Sequence, residues 1–374
     1  ENMKKGLFIL LIFCFSLTVF SCSDEKEEYS ATGTTDDTTT TDNTTTATTT
    51  LLSNVKSLSS GGYDTCALIN DGTVKCWGHQ TSSTTPISIN ISGVSQISTG
   101  WHHTCAKIDS STVKCWGENS NGQLGDGNTT SWGTKSNTPV TVLNLTNVDL
   151  ISSGYYYSFA LLTDNTVKGW GKNASGHLGD GTFTNRTTPV SITSLTNVDN
   201  LSSLQHSCAL FDNDTVDCWG GTTYTSALGD NTVTNVIDVQ AGWHSSCALI
   251  NGGTIKCWGD QGTDGELGNG STTSSTAPVS VSGISNATQI TAGEMHNCAL
   301  LSDNTVKCWG QNTYGQLGDG TKTDRTTPVL VTDLSDVKQV SAGRSHTCAL
   351  LNAGTVKCWS VYLASSITPV YVYE

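Results

Sequence analysis

Charge is scarce in this chain, and apolar stripes at helical spacing are scarcer. Only 13% of its 374 residues are charged, with 18 Lys and Arg against 32 Asp and Glu, for a net charge of −14. An acidic surface with no basic, aromatic-interleaved patch repels phosphate backbones, so nucleic acid is not an expected partner. Between residues 51 and 374 short β-branched runs are broken by Asn, Asp, Gly and Thr, which predicts an all-β fold with many tight turns. Familiar chemical motifs are missing as well. There is no Gly-x-Ser-x-Gly elbow, no His-Glu-x-x-His pair and no phosphate-cradling glycine loop. No catalytic residue, metal ligand or cofactor is therefore assigned, and the chain is not expected to be an enzyme.

The first fifty residues read differently. Residues 3–22, MKKGLFILLIFCFSLTVFSC, have the form of a secretory signal: Lys4 and Lys5 precede an apolar stretch, Leu7 to Phe20, too short for a comfortable membrane span. Val19-Phe20-Ser21-Cys22 resembles a bacterial lipobox, in which Cys22 becomes the lipidated first residue; ordinary cleavage near Ser21 is the alternative. The acidic run at 23–28 resembles the export signal of surface lipoproteins in Bacteroidetes-type bacteria, and a solvated charge run is its bland counterpart. Residues 29–50 are Thr-rich, lack the apolar content to fold and are expected to form a flexible tether; Asp37-Thr38-Thr39 within it fits a short O-glycosylation pattern. The expected organisation is a lipoprotein-type signal over 1–21, a tether over 22–50 and a folded region over 51–374. An exported, outer-membrane or cell-surface location follows, with the membrane contacted through the lipid alone.

What fills 51–374 is a repeat. Aligning on Trp77, Trp116, Trp170, Trp219, Trp258, Trp309 and Trp359 gives seven units 39 to 54 residues apart, the size of one four-stranded propeller blade. The fullest unit parses into strands at 337–341, 346–351 and 355–359, and a preceding unit supplies a fourth at 327–331. All six prolines (Pro86, Pro139, Pro189, Pro278, Pro328, Pro369) fall in that fourth strand, which marks it as the outer one, because proline is tolerated at a sheet edge. Ala342-Gly343-x-x-His346-Thr347, Ala349-Leu350, Gly354-Thr355-Val356-x-x-Trp359 and Asn312-x-x-Gly315-Gln316-Leu317-Gly318 resemble the repeat of the regulator of chromosome condensation family. The resemblance covers roughly residues 53–374 and implies a seven-bladed β-propeller, closed by pairing of N- and C-terminal segments. Unit one lacks the Gly-Gln-Leu-Gly loop between Trp77 and Pro86. Unit four keeps Leu228-Gly229-Asp230 but no proline strand, which leaves that blade with three or four strands.

Twelve of the 14 cysteines form six pairs at constant spacing. They are Cys66 with Cys76, Cys105 with Cys115, Cys208 with Cys218, Cys247 with Cys257, Cys298 with Cys308, and Cys348 with Cys358. Folding strand two on strand three about turns such as Asn70-Asp71-Gly72 sets each pair directly opposite, as a disulfide requires. Zinc thiolates usually stand two to four residues apart, and the His two before the first cysteine (His103, His206, His296, His346) is absent from units that keep both cysteines. Each His is expected to make a structural hydrogen bond inside its own blade. Unit three carries Phe159 and Gly169 at the two cysteine positions, so both change together, and the aromatic is placed to cover the glycine across the strands.

Successive antiparallel strands put the turn between strands one and two on the same face as the loop between strands three and four. The residues at that turn vary: Gly62-Tyr63, Trp101-His102, Tyr155-Tyr156, Leu204-Gln205, Trp243-His244, Glu294-Met295 and Arg344-Ser345. Tyr63, Trp101, His102, Tyr155, Tyr156, Trp243, His244, Met295 and Arg344 are the residue types that anchor interfaces. Two arrangements fit them: an exposed ring that meets a partner, joined by Trp132, Tyr224 and Tyr314, or packing that caps the central channel. Nuclear members of the family include a small-GTPase exchange factor, whose partner an exported protein would not meet. A secreted bacterial propeller of similar repeat type, which inhibits β-lactamases, is the closer analogy. The expected function is a monomeric platform for an extracellular or envelope protein or glycan. The alternatives are an inhibitor of an extracellular or periplasmic enzyme and, further back, a glycan-active enzyme.

Overall fold

The computed structural model describes residues 50–220, 233–259, 262–361 and 364–374. The predicted signal, Cys22, the tether to residue 49, Tyr224 and Leu228-Gly229-Asp230 lie outside these residues. Seven antiparallel sheets follow one another along the chain. Blade one consists of β1 (Val55–Ser60), β2 (Asp64–Ile69), β3 (Val74–Gly78) and β4 (Ser83–Ile89), hydrogen-bonded in that order. The other blades span 96–141, 148–191, 198–219, 236–280, 287–330 and 337–371. Six have four strands, and the fourth has three among the described residues. This is the all-β seven-bladed propeller that the repeat predicts.

The first strand of each blade lines a central channel of about 260 Å³. The prolines all sit in the fourth strands, on the rim, where a missing N–H leaves no ladder bond unmade. Between strands two and three the chain turns tightly with a left-handed residue at the end, such as Gly72 (φ 82°), Asn165 (φ 60°) or Asn304 (φ 63°). An Asx side chain holds the turn: Asp71 Oδ1 accepts from the Thr73 backbone N–H at 2.9 Å, and Asp303 serves Thr305 in the same way.

That turn fixes the register, so the cysteines meet as the spacing predicts. Cys66 faces Cys76, Cys105 faces Cys115 and Cys208 faces Cys218 across strands two and three. Cys247 with Cys257, Cys298 with Cys308, and Cys348 with Cys358 repeat the arrangement in the last three blades. Every one of these pairs is bonded, with Cα atoms 4.0–4.1 Å apart.

The core lies between blades rather than within them. Each blade turns its cysteine face toward the next blade's tryptophan. Cys66 and Cys76 pack with Trp116, Cys105 and Cys115 with Trp170, and Cys208 and Cys218 with Trp258. Cys247 and Cys257 pack with Trp309, and Cys298 and Cys308 with Trp359. Phe159 fills the same place against Trp219 in blade three, with ring centroids 5.9 Å apart, and a Cβ on Gly169 would come within 2.7 Å of the Phe159 ring.

The histidines obey this geometry too, which corrects one expectation. His103 bonds Ser158 at 2.7 Å, His206 bonds Ser246 at 2.6 Å, His296 bonds Thr347 at 2.8 Å and His346 bonds Thr65 at 2.8 Å. Every partner belongs to the following blade, not to the histidine's own. A residue two before the cysteine shares its face of the strand, and that face looks outward to the neighbour.

Closure repeats the same contact. Leu52, Val55, Leu58 and Trp77 pack on Cys348, Cys358, Leu350 and Val356, and Gln339 exchanges two hydrogen bonds with the Leu58 backbone, at 2.9 and 3.0 Å. The terminal segments pair beside the last blade: Leu51 bridges Tyr373, the Leu52 N–H donates to Val372 O, and Lys75 meets Glu374 at 2.6 Å. Each blade is nevertheless built from its own contiguous segment, so the ring closes by packing and by this short ladder.

Candidate functional site

Two sets of connections share one face, as strand alternation requires. One is the turn after each inner strand, and the other is the longer loop after strand three. At five of the seven junctions the inner turns are stitched together at the axis by main-chain bonds, each running from one blade to the next. Gly62 N–H donates to Gly100 O (3.1 Å), Trp101 to Gly154 (3.1 Å), Tyr155 to Leu204 (2.7 Å), Trp243 to Glu294 (3.3 Å) and Arg344 to Gly61 (3.0 Å). Backbones this close leave no room for a side chain; a Cβ on Gly100 would lie 2.3 Å from Gly154 O. The collar throws the next residues' side chains over the channel mouth.

There the predicted residues meet. Trp101 stands 4.5 Å from Trp243 and 5.2 Å from Tyr155, centroid to centroid, and Tyr155 is 5.0 Å from Trp243. Tyr63 stacks beside His102 (5.7 Å), which approaches Tyr156 (5.4 Å). Offset and edge-on pairs of this kind contribute beyond simple burial. Trp101 (5% exposed) and Tyr156 (7%) are buried in the cluster, while Tyr63, His102, Tyr155, Trp243, His244, Met295 and Arg344 are half-exposed at its rim. The aromatics cap the channel mouth, and their outer members keep partial exposure to solvent. Of the loop residues, Trp132 (75% exposed) and Tyr314 stand clear of the surface, together with Phe183, which the repeat pattern does not single out.

Cations sit on the cluster. The Arg344 guanidinium lies 4.9 Å over Tyr63 and 5.1 Å over Trp101, and its Nε meets Glu294 at 2.6 Å. Lys172 Nζ lies 4.9 Å from the Tyr155 ring and 5.6 Å from Tyr156, and burial holds its pKa below the ordinary lysine value. Burial, helped by the nearby His79 and Lys135 charges, pushes His102 down to about 3, so it is neutral at physiological pH. Burial alone takes His103 to about 3 as well. Among the described residues no three His, Cys, Asp or Glu side chains are grouped to hold a metal ion.

A second layer under this face has no signature in the side-chain pattern. In four blades the tryptophan Nε1 donates to a main-chain carbonyl of the preceding blade's loop: Trp170 to Gln123, Trp219 to His177, Trp309 to Glu266 and Trp359 to Gln316, at 2.8–3.0 Å. Each of these long loops therefore lies across its neighbour. Blade one's loop, residues 79–82, is too short for this, and Trp116 Nε1 has no hydrogen-bond partner. Asp64 stands there in place of the histidine; burial raises its pKa to about 7 despite the Gln80 N–H it accepts. Inside the channel, Gln96, Gln289 and Gln339 each bond the backbone of a neighbouring inner strand, as do Ser59, Ser98, Ser202 and Ser341.

Comparisons with known proteins follow the same lines. Models of the regulator of chromosome condensation (RCC1) repeat match residues 112–161, 253–300 and 303–350, and a second model of that repeat matches 94–123, 148–176 and 287–316. No curated protein sequence matches the chain. Among solved structures, human WBSCR16 is similar over 79% of this chain and 86% of its own, at 21% identity and a TM-score of 0.70. The structure of Kap60 bound to yeast RCC1 (Prp20) contains a chain 17% identical, with 92% and 91% covered and a TM-score of 0.70. The receptor kinase CR4 ectodomain of Physcomitrella patens is 18% identical, with 83% and 74% covered and a TM-score of 0.55. At such identities these likenesses speak for the fold.

Proposed function

We infer, for a chain that belongs to the regulator of chromosome condensation repeat family, that the propeller is a binding platform which meets its partner through the loop face. The carrying observation is the contrast between the two faces. One repeats a single Asx turn around the ring, whereas the other gathers Trp, Tyr, Met and Arg from six blades over the axis. Residues of these types, partly desolvated and held by a main-chain collar, lose little conformational freedom when a partner covers them. One neighbour in the same fold was solved bound to another protein, Kap60.

The platform is proposed to be an exported lipoprotein at the cell envelope, anchored by lipid on Cys22 and displayed on the Thr-rich tether. Six disulfides fit an oxidising, extracellular environment, and among the described residues no helix is long and apolar enough to cross a membrane. The partner is an envelope or extracellular protein or glycan. Capture on the immobilised full chain tests the face: changing Tyr155 and Trp243 to Ala, with the melting temperature held, removes the captured partner. If every partner stays bound to that variant and to Arg344→Gln, the loop face is not the interface.

A further inference from the structure

The loop face is not evenly covered. Four long loops lie over the blades that follow them, whereas the four residues between β3 and β4 reach blade two only through side chains, Gln80 against Gly117 and His79 against Lys135. The top of blade two is therefore more thinly covered, a shallow notch with the blade-two loop as one wall. Trp132, three-quarters exposed, stands on that wall, its indole N–H toward the Tyr156 hydroxyl. The floor runs from His79 through Tyr63 and His102 to Tyr156, each 5.4–6.0 Å from its neighbours. Lys135 Nζ lies 2.7 Å from His79, and Lys172 covers the Tyr155 and Tyr156 rings at the far end.

The sign of this patch is opposite to that of the chain. Its cations are Lys135 and Lys172, beside the neutral His102 ring, on a protein of net charge −14. The carboxylates close by are buried: Glu118 accepts from Ser120 Oγ and the Gly133 N–H, and Asp64 is sealed beneath Gln80. Gln80, itself buried, has neither amide atom hydrogen-bonded, and Asp64 Oδ2 is unpartnered beside it. Polar capacity thus remains under an aromatic floor flanked by two lysines.

We propose that this notch binds an acidic glycan, a saccharide whose ring stacks on Trp132 and the floor aromatics while its carboxylate meets Lys172 and Lys135. A carboxylate at the end of a flexible peptide side chain would use the lysines but leave the indole face uncovered; a sugar ring, which lays its C–H face on the indole and bears its own carboxylate, uses both. The proposal rests on the loop face being the binding face and names the chemistry of one sector of it.

Titration calorimetry with the full chain tests this, using oligogalacturonate, its fully methyl-esterified neutral form, and a poly-glutamate peptide of equal charge. Oligogalacturonate should bind, and more weakly as salt rises, while the ester and the peptide bind at least tenfold more weakly, a difference of about 1.4 kcal/mol or more. Trp132→Ala and Lys172→Gln should each weaken binding about tenfold. Phe183→Ala, exposed on the neighbouring loop, should leave it unchanged. Equal binding of poly-glutamate would reassign the notch to acidic peptides and overturn the proposal, as would undiminished binding to Trp132→Ala. If oligogalacturonate does not bind while the Tyr155 and Trp243 variant loses its captured partner, the glycan assignment falls and the broader platform stands.

Discussion

Restoring the missing cysteines of blade three, as Phe159→Cys with Gly169→Cys, should bring little or no gain in stability. A disulfide closing a loop of about 11 residues contributes at most ~3 kcal/mol through chain entropy. Phe159, however, is fully buried and packs on Trp219, Tyr157 and Leu178, and cutting such a ring back to a small side chain costs about 3–5 kcal/mol in lost contact and cavity. Removing a strand-interior glycine returns roughly 0.5–1 kcal/mol. With the bond at that ceiling the terms sum to between about 1 kcal/mol more and about 1.5 kcal/mol less stable than the native chain, and any shortfall of the bond lowers the sum further, so no gain beyond about 1 kcal/mol is expected. Phe159→Ser with Gly169→Ser, which cannot cross-link, isolates the bond: the two double variants should differ by at most about 3 kcal/mol in urea unfolding. An oxidised cysteine variant several kcal/mol more stable than the native protein would show that the aromatic is a poor substitute. Gly169→Cys alone should destabilise, since its Cβ meets the Phe159 ring.

Asp64 gives a pH signature. Its folded pKa near 7 lies above the ordinary 3.8, so the folded state keeps a proton that the unfolded state releases, and stability falls as pH rises from about 4 to about 7. Asp64→Asn should flatten that slope and gain as much as about 4 kcal/mol at pH 8; equal slopes in melts of the two proteins would exclude the buried acid as its source. At the closure, Gln339→Leu strips two partners from the Leu58 backbone and should cost about 1–3 kcal/mol. Lys75→Gln, which breaks a partly exposed ion pair with Glu374, should cost at most about 1 kcal/mol, and the reverse ranking would mean that the ring is held by its ends. Intact-mass analysis before and after reduction should count six disulfides, from Cys66–Cys76 round to Cys348–Cys358, and free thiols with bound zinc in the unreduced protein would refute the pairing.

The parts of the fold that were legible in the sequence depend on side chains that repeat. Trp77 and its six counterparts set the blade length, Pro86 and its counterparts mark the rim, and the cysteine spacing fixes the hairpin register. What could not be read depends on the main chain. Gln123, His177, Glu266 and Gln316 occupy one structural position, and what all four share is a carbonyl that accepts from a tryptophan, which any residue type can supply. The axial collar is likewise main chain. The channel ring did leave a signal, because Gln96-Ile97-Ser98, Gln289-Ile290-Thr291 and Gln339-Val340-Ser341 alternate polar and apolar residues with period two. The direction of the histidine bonds was missed because an aligned repeat shows what is inside a unit and hides what lies between units.

Blade one breaks the repeat in three ways, and all three fall at its junction with blade two. The long loop is absent, Asp64 replaces the histidine, and Gln80 lies buried where a neighbouring loop would otherwise cross. Other departures lie elsewhere in the ring: blade three lacks the cysteine pair, and the Trp258 Nε1 also has no hydrogen-bond partner. Each of blade one's three alone leaves a cost: an indole N–H without an acceptor, a carboxyl out of water, and an amide with neither atom bonded. Retaining all three at one junction, directly beneath the aromatic and lysine-bearing patch, is the pattern that the proposed binding site would explain.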